Sequence, residues 1–289
     1  MNLDEQKYLD LINKIINTGE TRSTRNSITK SIFGEKLEFD ISDSIPFITT
    51  KKLAWKTVIK ELLWFISGST DNELLTNQNV NIWKGNASRE YMDSIGLLDR
   101  KVNDLGPIYG HQWRHFNAEY IDNHTDYSGK GIDQINNIIY LLNNDPMSRR
   151  ILLSAWNPCQ IKEMNLPPCH IMAQFYVSVN KELSCQMYQR SADIGLGLPF
   201  NIASYSVLTY ILAKICNLKP KKLIIIIGDA HIYEEHENTL KEQILRKPFS
   251  FPKLIIKDRE YKNIDDFKIE DFEVENYQYH ETLKMNMIA

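Results

Sequence analysis

A cysteine behind two prolines is the residue in this sequence best placed to do chemistry. Cys169 follows Pro167 and Pro168, which stiffen the chain before it, and His170 comes next. Cysteine attacks as the thiolate, and a nearby cation favours that form by lowering the thiol pKa. His170 and Arg190 are the candidate cations. The alternative is that Cys169 is a small buried apolar residue, the ordinary role of an unpaired cysteine.

A cation, a hydroxyl, a carboxylate and an amide follow Cys169 within one short segment. They are Arg190, Ser191, Asp193 and Asn201. This set suits a small anionic substrate that forms hydrogen bonds, and core packing alone would not need it. Asn201 has two interpretations. It could cap the helix that follows it, or it could read a nucleobase, because its amide both donates and accepts hydrogen bonds.

Two further pairs of residues could contact a ligand. Arg149 and Arg150 could be a solvated charge pair or a phosphate site, because guanidinium groups bind phosphate through two hydrogen bonds. His231 and Tyr233 alternate at the end of an apolar strand, so they should share a face, and polar groups at strand ends tend to line ligand crevices. His231 and His236 do not match a helical zinc pair, and no metal site is predicted.

One carboxylate lies inside a strongly apolar helix pattern. Residues 54–67 repeat apolar side chains at helical spacing, and Glu61 is the exception among them. If Glu61 is buried there, burial raises its pKa and makes it a candidate general acid or base. If it occupies the one exposed position of that helix, it is an ordinary surface carboxylate. The sequence leaves both interpretations open.

Composition restricts the class of protein. The 289 residues are 43% apolar and 25% charged, which is typical of a globular protein. The net charge of -3 argues against a bulk nucleic-acid binder, whose surface would carry a large basic excess. The four cysteines have no paired spacing and the polar start is unlike a signal peptide, so we expect reduced thiols and a cytoplasmic location. The longest apolar run, at 223–227, is too short to span a bilayer, and we expect no membrane partner.

Periodicity predicts one α+β domain over residues 1–289, with a mixed central β-sheet covered by helices. The predicted helices are 3–17, 54–67, 132–143 and 203–216. The predicted strands are 150–156, 170–179, 182–189, 223–228 and 253–257. Asn180 and Lys181 separate the second and third of these strands and favour an antiparallel hairpin.

Two other stretches have a distinctive composition. The strand at 223–228 begins with five apolar residues in a row, so we expect it in the sheet centre with both faces covered. Residues 84–105 and 115–131 are rich in Asn, Ser, Asp and Gly and are predicted to be surface loops.

Beyond these single motifs, the chain resembles the folate-dependent thymidylate synthases from residue 20 to its last residue. The motifs that carry the resemblance occur in the family's order and at compatible spacings. They lie at 46–51, 61–65, 104–110, 112–114, 148–151, 168–170, 188–201 and 228–233. The resemblance implies a single thymidylate-synthase-like catalytic domain that dimerises through its sheet face.

The resemblance also implies the reductive methylation of dUMP to dTMP. The Cys169 thiolate would add to carbon 6 of the uracil, and carbon 5 would then attack the methylene group of methylenetetrahydrofolate in a covalent ternary intermediate. Elimination and hydride transfer from the folate would release dTMP and dihydrofolate. The folate would supply both the carbon and the electrons, so no metal or nicotinamide is expected.

Roles for individual residues follow from the same resemblance. Catalysis would depend on Cys169, Arg190, Glu61, Tyr109, Asp193 and Asn201. The dUMP site would comprise Arg25, Arg149, Arg150, Arg190, Ser191, Asp193, Asn201, His231 and Tyr233. The folate site would comprise Lys51, Ile82, Trp83, Asp193, Leu196, Gly197, Phe200 and Ile288. The C-terminal tail would close over both ligands, and Arg149 and Arg150 would reach the phosphate in the other subunit of a homodimer.

One segment departs from the family's pattern. The phosphate-loop arginine of the family is normally followed by a run of Thr and Gly, whereas Arg25 is followed by Asn26, Ser27 and Ile28. Matching that loop needs a one-residue deletion. Arg25 is our choice for the role, and Arg22 is the alternative.

Two rival functions remain at this stage. A pyrimidine nucleotide hydroxymethylase on the same fold would act on dCMP, whereas the Asn201 amide can accept from the uracil ring N–H and donate to its carbonyl oxygen. The other rival is a non-catalytic protein that binds nucleotide or RNA, which the net charge does not support.

Overall fold

A computed structural model gives the fold of the chain and describes residues 2–24 and 27–288. The helices are α1 (Leu3–Thr18), α2 (Trp55–Ile66), α3 (Asn72–Thr76), α4 (Arg89–Ser94), α5 (Tyr109–His115), α6 (Gln134–Asn144), α7 (Gly197–Ile215) and α8 (Glu234–Gln243). The strands are β1 (Glu20–Ser23), β2 (Ile28–Asp40), β3 (Leu152–Ser154), β4 (His170–Val177), β5 (Glu182–Asp193), β6 (Lys219–Tyr233), β7 (Lys253–Ile256) and β8 (Phe272–Glu275). Short 3-10 helices cover Ile161–Glu163, Ile264–Asp266 and Ile269–Asp271.

Six strands form the central sheet, in the order β1-β2-β6-β5-β4-β3. Strands β5 and β6 pair in parallel, and the other neighbours in this sheet pair antiparallel. Strands β7 and β8 form a separate two-stranded sheet. The predicted α+β fold with a mixed central sheet is therefore confirmed.

Helix α7 forms the core behind the centre of the sheet. It packs on β5 and β6 and against α2 on its other side. By length and hydropathy alone α7 could cross a membrane, but 72% of its apolar stretch is buried inside the protein. These contacts make α7 the central helix of the hydrophobic core.

Strand β6 lies in the middle of the sheet, as predicted, but its two faces differ. Leu223, Ile225 and Ile227 are fully buried on the side of α7, whereas Ile224 and Ile226 are half-buried on the other side. The expectation that both faces are covered is therefore wrong for a single chain. The open face, as we call this second side, is defined by Met172, Tyr176, Tyr188, Ile224 and Ile226.

Helices α1, α2 and α6 lie where they were predicted, and β4 and β5 form the predicted hairpin. Helix α7, however, begins at Gly197 rather than at 203. Pro199 falls in its first turn, where the missing N–H costs no intrahelical hydrogen bond. Asn201 consequently lies inside α7, and its interpretation as the cap of that helix is wrong.

The predicted loop at 84–105 contains a helix, and three strands have no counterpart among the predicted ones. Helix α4 lies within that loop and is capped by Ser88, which accepts a hydrogen bond from the Tyr91 amide. Its capping residue is the local signal that marks its start. The three unpredicted strands are β1, β2 and β8.

A buried histidine holds the segment that follows α5. The Nε2 of His111 donates to the Ala118 carbonyl at 3.1 Å, and the ring is fully buried. The rings of Tyr120 and Tyr127 pack edge-on against it, with centroid distances of 5.1 and 4.7 Å. Burial lowers the pKa of His111 to about 4. The ring is therefore neutral at physiological pH, and its Nδ1 has no hydrogen-bond partner among the described residues.

We predict that acid destabilises the fold through His111. The unfolded chain binds a proton at this ring below about pH 6.5, whereas the folded chain does so only near pH 4. The stabilising contribution of the neutral ring is complete above about pH 6.5. The free energy of unfolding should fall as the pH drops from there towards about pH 4, by up to about 1.4 kcal/mol per pH unit. Urea denaturation from about pH 7.5 to about pH 5 measures this slope. His111→Phe, which keeps a ring, should remove the contribution of His111 from the measured slope, to which His170 adds in the same direction and Glu61 in the opposite one. An unchanged slope would contradict the prediction.

Candidate active site

Cys169 lies in the bend that leads into β4, where it is only partly exposed. Its backbone N–H donates to the Tyr109 hydroxyl at 2.7 Å. Tyr109 is the first residue of α5 and is itself buried. The structure thus brings together two residues that the resemblance assigned to catalysis.

Arg190 reaches the thiol from the neighbouring strand, β5. Its Nη2 lies 3.8 Å from the Cys169 Sγ. The same guanidinium donates to the carbonyls of Pro168 and Pro167 at 2.7 and 3.0 Å. The two prolines therefore do more than stiffen the chain, because their carbonyls aim the guanidinium at the sulfur.

The structure distinguishes between the two candidate cations, Arg190 and His170. Burial raises the pKa of the Cys169 thiol, and the Arg190 charge offsets only part of that rise. Burial also lowers the pKa of His170 to about 3, and its Nδ1 shares a hydrogen bond with the Tyr205 hydroxyl at 2.8 Å. The prediction that His170 could act as a cation is therefore wrong. Arg190 is the cation beside the thiol, and its charge lowers the thiol pKa against the effect of burial.

Glu61 is buried on α2, which decides between its two interpretations. Its Oε1 accepts a hydrogen bond from the Trp83 Nε1 at 2.8 Å. Burial raises the pKa of Glu61 to about 7, while the Trp83 hydrogen bond opposes the rise. The ring centroids of Trp83 and Tyr109 lie 6.0 Å apart. Glu61 is therefore connected to Cys169 through Trp83, which donates to Glu61, and Tyr109, which accepts from the Cys169 N–H. Glu61 can therefore be either an acid or a base near neutral pH.

Polar side chains at the ends of β5 and β6 form a second part of the site. The parallel register places Ser191 beside Asp229, and two residues further on it places Asp193 beside His231. The Oγ of Ser191 lies 3.5 Å from His231 Nδ1, which is 3.2 Å from Asp229 Oδ1. The rings of His231 and Tyr233 meet at 5.2 Å, which confirms that these two residues share a face.

Gln189 is a site residue that sequence reasoning missed. It is buried, and its Nε2 donates to Asn201 Oδ1 at 2.9 Å and to the Ser191 carbonyl at 3.1 Å. These bonds fix the orientation of the Asn201 amide, because its oxygen must lie towards Gln189. Its NH₂ group forms no hydrogen bond with Gln189. A polar residue at an inward-facing position of an otherwise apolar strand is the signal that could have found it.

Lys51 and Asp193 meet at the loop between β5 and α7. The Lys51 ammonium donates to the Gly195 carbonyl, and Asp193 Oδ1 accepts from the Gly195 and Leu196 amides at 2.9 and 3.3 Å. Burial lowers the pKa of Lys51 to about 8, and the Asp193 carboxylate opposes that shift. Among the other residues assigned to the folate, Trp83 is buried. Those that are half-buried are Ile82, Leu196, Gly197, Phe200 and Ile288.

Two of the arginines assigned to the phosphate lie on the surface of the chain. Arg149 and Arg150 are exposed in the turn between α6 and β3, and neither guanidinium bonds to another residue in the part of the chain that the structure describes. Arg25 lies outside the described residues. Its alternative, Arg22, forms an ion pair with Asp229 at 2.5 Å.

These groups together suit covalent addition to an anionic, hydrogen-bonding substrate. They provide a thiol beside a cation, a carboxyl group that titrates near neutrality and an oriented amide. Within residues 2–24 and 27–288, no group of three or more His, Cys, Asp and Glu side chains could hold a metal ion.

Comparisons with known proteins agree with this chemistry. The family model described as thymidylate synthase matches residues 6–289. The thymidylate synthase of Saccharomyces cerevisiae is 52% identical over 99% of this chain and 97% of its own length. The bifunctional dihydrofolate reductase-thymidylate synthases of Zea mays and Paramecium tetraurelia are each 52% identical over 98% of this chain. The chain spans only 54% and 61% of the lengths of these two bifunctional relatives.

We predict that the reactivity of the thiol depends on Arg190. Arg190→Gln removes the charge that favours the thiolate, so the Cys169 pKa should rise further. Alkylation of Cys169 by iodoacetamide at about pH 8 should then slow about tenfold or more. Peptide mass spectrometry resolves the four cysteines, and the exposed Cys159 is the internal control. An equal loss at Cys159, or no loss at Cys169, would show that Arg190 does not tune this thiol.

Proposed function

The chain belongs to the thymidylate synthase family, and we propose that it converts dUMP to dTMP with methylenetetrahydrofolate as both carbon donor and reductant. The observation that carries the proposal is the setting of Cys169: its thiol lies beside the Arg190 guanidinium, and its backbone N–H donates to the Tyr109 hydroxyl. The folate is a co-substrate in this reaction, and no residue is proposed as a metal ligand.

Cys169 acts as the nucleophile in the proposed reaction. As its proton leaves, the sulfur bonds to carbon 6 of the uracil, and the electron pair of the ring double bond moves to carbon 5. Carbon 5 then bonds to the methylene carbon of the folate as one of that carbon's two bonds to nitrogen breaks, which gives the covalent ternary intermediate. Loss of the carbon 5 proton and breakage of the second carbon–nitrogen bond release the folate and leave a methylene group on the ring. A hydride from the folate then adds to this methylene group as the sulfur leaves carbon 6, which yields dTMP and dihydrofolate. Arg190 stabilises the thiolate that the attack requires.

Glu61 organises proton transfer during these steps, with Tyr109 nearby. A group whose pKa is about 7 is populated in both forms near neutral pH. Acid–base catalysis of this kind contributes about 10²–10⁴-fold to a rate. The buried position of Glu61 supports this role, because it keeps the pKa of the carboxyl group in that range.

The nucleotide and the folate occupy the two sides of Asp193. On the nucleotide side, Arg190 and Ser191 contact the phosphate, Asn201 pairs with the uracil edge, and His231 with Tyr233 holds the ribose hydroxyl. The loop arginine on this side is Arg25. On the folate side, Asp193 binds the pterin, and the lining residues are Lys51, Ile82, Trp83, Leu196, Gly197, Phe200 and Ile288. The tie between Gln189 and Asn201 supports uracil recognition, because it orients the amide.

We further propose a homodimer that pairs through the open face. Its half-buried apolar side chains and the exposed Tyr176 support this surface, because a monomer gains nothing by leaving them there. Arg149 and Arg150 then reach the phosphate site of the other subunit, which supplies the anionic partner that they lack among the described residues of their own chain. Residues 1–289 form one catalytic domain in this proposal, and a cytoplasmic location stays a prediction.

We predict that the chain forms a stable ternary adduct with fluoro-dUMP and methylenetetrahydrofolate. Denaturing mass spectrometry should find both ligands bound covalently to the Cys169 peptide, and Cys169→Ala should form no adduct. The fluorinated cytosine nucleotide tests the hydroxymethylase alternative, and the Asn201 amide should disfavour it by about 10⁴-fold or more. An adduct in Cys169→Ala would contradict the assignment of the nucleophile. No adduct in the wild type would favour a protein that only binds nucleotide.

Subunit mixing gives a second prediction. Cys169→Ala chains and chains that carry both Arg149→Ala and Arg150→Ala should be nearly inactive alone. In a mixed dimer, however, one site combines the intact cysteine with the partner's intact arginines. Random re-pairing gives about half mixed dimers with one complete site each, and therefore about a quarter of the wild-type activity. No recovery after refolding the two variants together would contradict the exchange of arginines.

A further inference from the structure

His236 is a buried histidine to which the resemblance assigned no role. It lies on α8, and 1% of it is exposed. Its Nε2 donates to the carbonyl of Asn286 at 2.7 Å. Asn286 belongs to the C-terminal tail, by which we mean residues 281–288, a segment without helix or strand. His236 is therefore a direct tie between the body of the protein and the tail.

The other nitrogen of this ring faces the folate side of the site. Nδ1 lies 3.9 Å from Asp193 Oδ1 and has no hydrogen-bond partner among the described residues. Asp193 Oδ1 itself accepts from the Gly195 and Leu196 amides. The histidine, the carboxylate and the loop therefore form one cluster.

Close packing at Gly195 keeps the tail beside Asp193 and His236. A Cβ atom on Gly195 would lie 3.2 Å from His236 Nδ1 and 3.2 Å from the Met285 Sδ. The loop, the histidine and the tail are therefore already in contact without a side chain at 195. The Tyr233 ring packs edge-on against the histidine at a centroid distance of 5.6 Å, which fixes the plane of the imidazole from the side of β6.

We propose that His236 is a positioning residue that holds the C-terminal tail against Asp193 and Gly195, so that tail closure strengthens folate binding more than nucleotide binding. The tail itself meets His236 and the Gly195 loop beside Asp193, on the folate side. The Tyr233 ring, which belongs to the nucleotide side, touches the histidine only by edge-on packing. No hydrogen bond joins the tail to Arg190 or Asn201 in the described part of the chain. The identification of the ligand as folate rests on the proposed function, whereas the hydrogen bond between His236 and the tail does not depend on it.

The His236→Phe variant tests the hydrogen bond between His236 and the tail in the absence of any ligand. It keeps an aromatic ring in the buried position and removes the Nε2 donor. Hydrogen exchange of residues 281–288, and trimming by carboxypeptidase, should become about fivefold faster, the factor expected for one hydrogen bond of ordinary strength. His111→Phe is the control, because His111 is equally buried, also donates to a backbone carbonyl and also leaves Nδ1 without a partner. Its tail should exchange within about twofold of the wild type.

Kinetics test the preference for the folate side. In His236→Phe, the KM for methylenetetrahydrofolate should rise about fivefold, while the Kd for dUMP alone should stay within about twofold. His236→Gln retains a side-chain N–H and should restore most of the tail protection. The proposal is overturned if tail exchange in His236→Phe matches the wild type, if His111→Phe produces the same change, or if dUMP affinity falls as much as folate affinity. If the wild type forms no ternary adduct, the proposed function fails, and the exchange experiment still decides on the tie.

Discussion

The parallel pairing of β5 with β6 is the constraint on which the site depends. A parallel pair needs a long crossover, and α7 provides it by running back along the sheet from the end of β5 to the start of β6. Both strands then end at one edge, where Ser191 and Asp193 lie beside β6 and α7 brings Asn201 to Gln189. Strand β4 runs antiparallel to β5 and starts at this same edge, which puts Cys169 next to Arg190.

Burial then sets the chemical state of the groups that the sheet assembles. The pKa of Cys169 and that of Glu61 are raised, and the pKa of Lys51 and that of His170 are lowered. Each of these shifts favours the uncharged form, as expected where packing excludes water. The guanidinium of Arg190 is held in place by two carbonyls. A positive charge is thus fixed beside the sulfur.

The sequence was informative where a pattern is local. Apolar spacing located α1, α2 and α6, because each buries one face of a continuous helix. The same spacing placed the start of α7 too late. In the sequence Pro199 indicates a boundary before the helix, whereas a proline is tolerated in the first turn, where it lies. Residue types also singled out Cys169 and Arg190, but the direction of the thiol pKa depends on desolvation by residues distant in the chain. Gln189 was not identified from the sequence for the same reason, because its role depends on its hydrogen bond to Asn201 on α7.

Under the proposed exchange of arginines, the exposed turn of Arg149 and Arg150 affects how much active enzyme a given quantity of chain can provide. If each phosphate site borrows these two guanidinium groups, an isolated chain is an incomplete catalyst however well it folds. The fraction of complete sites then follows the association equilibrium of the chains, so activity per chain declines as the protein is diluted below the dissociation constant of the pair. A ligand that engages arginines of both chains shifts that equilibrium towards the dimer by mass action. The abundance of the protein in the cell thereby becomes part of its catalytic capacity.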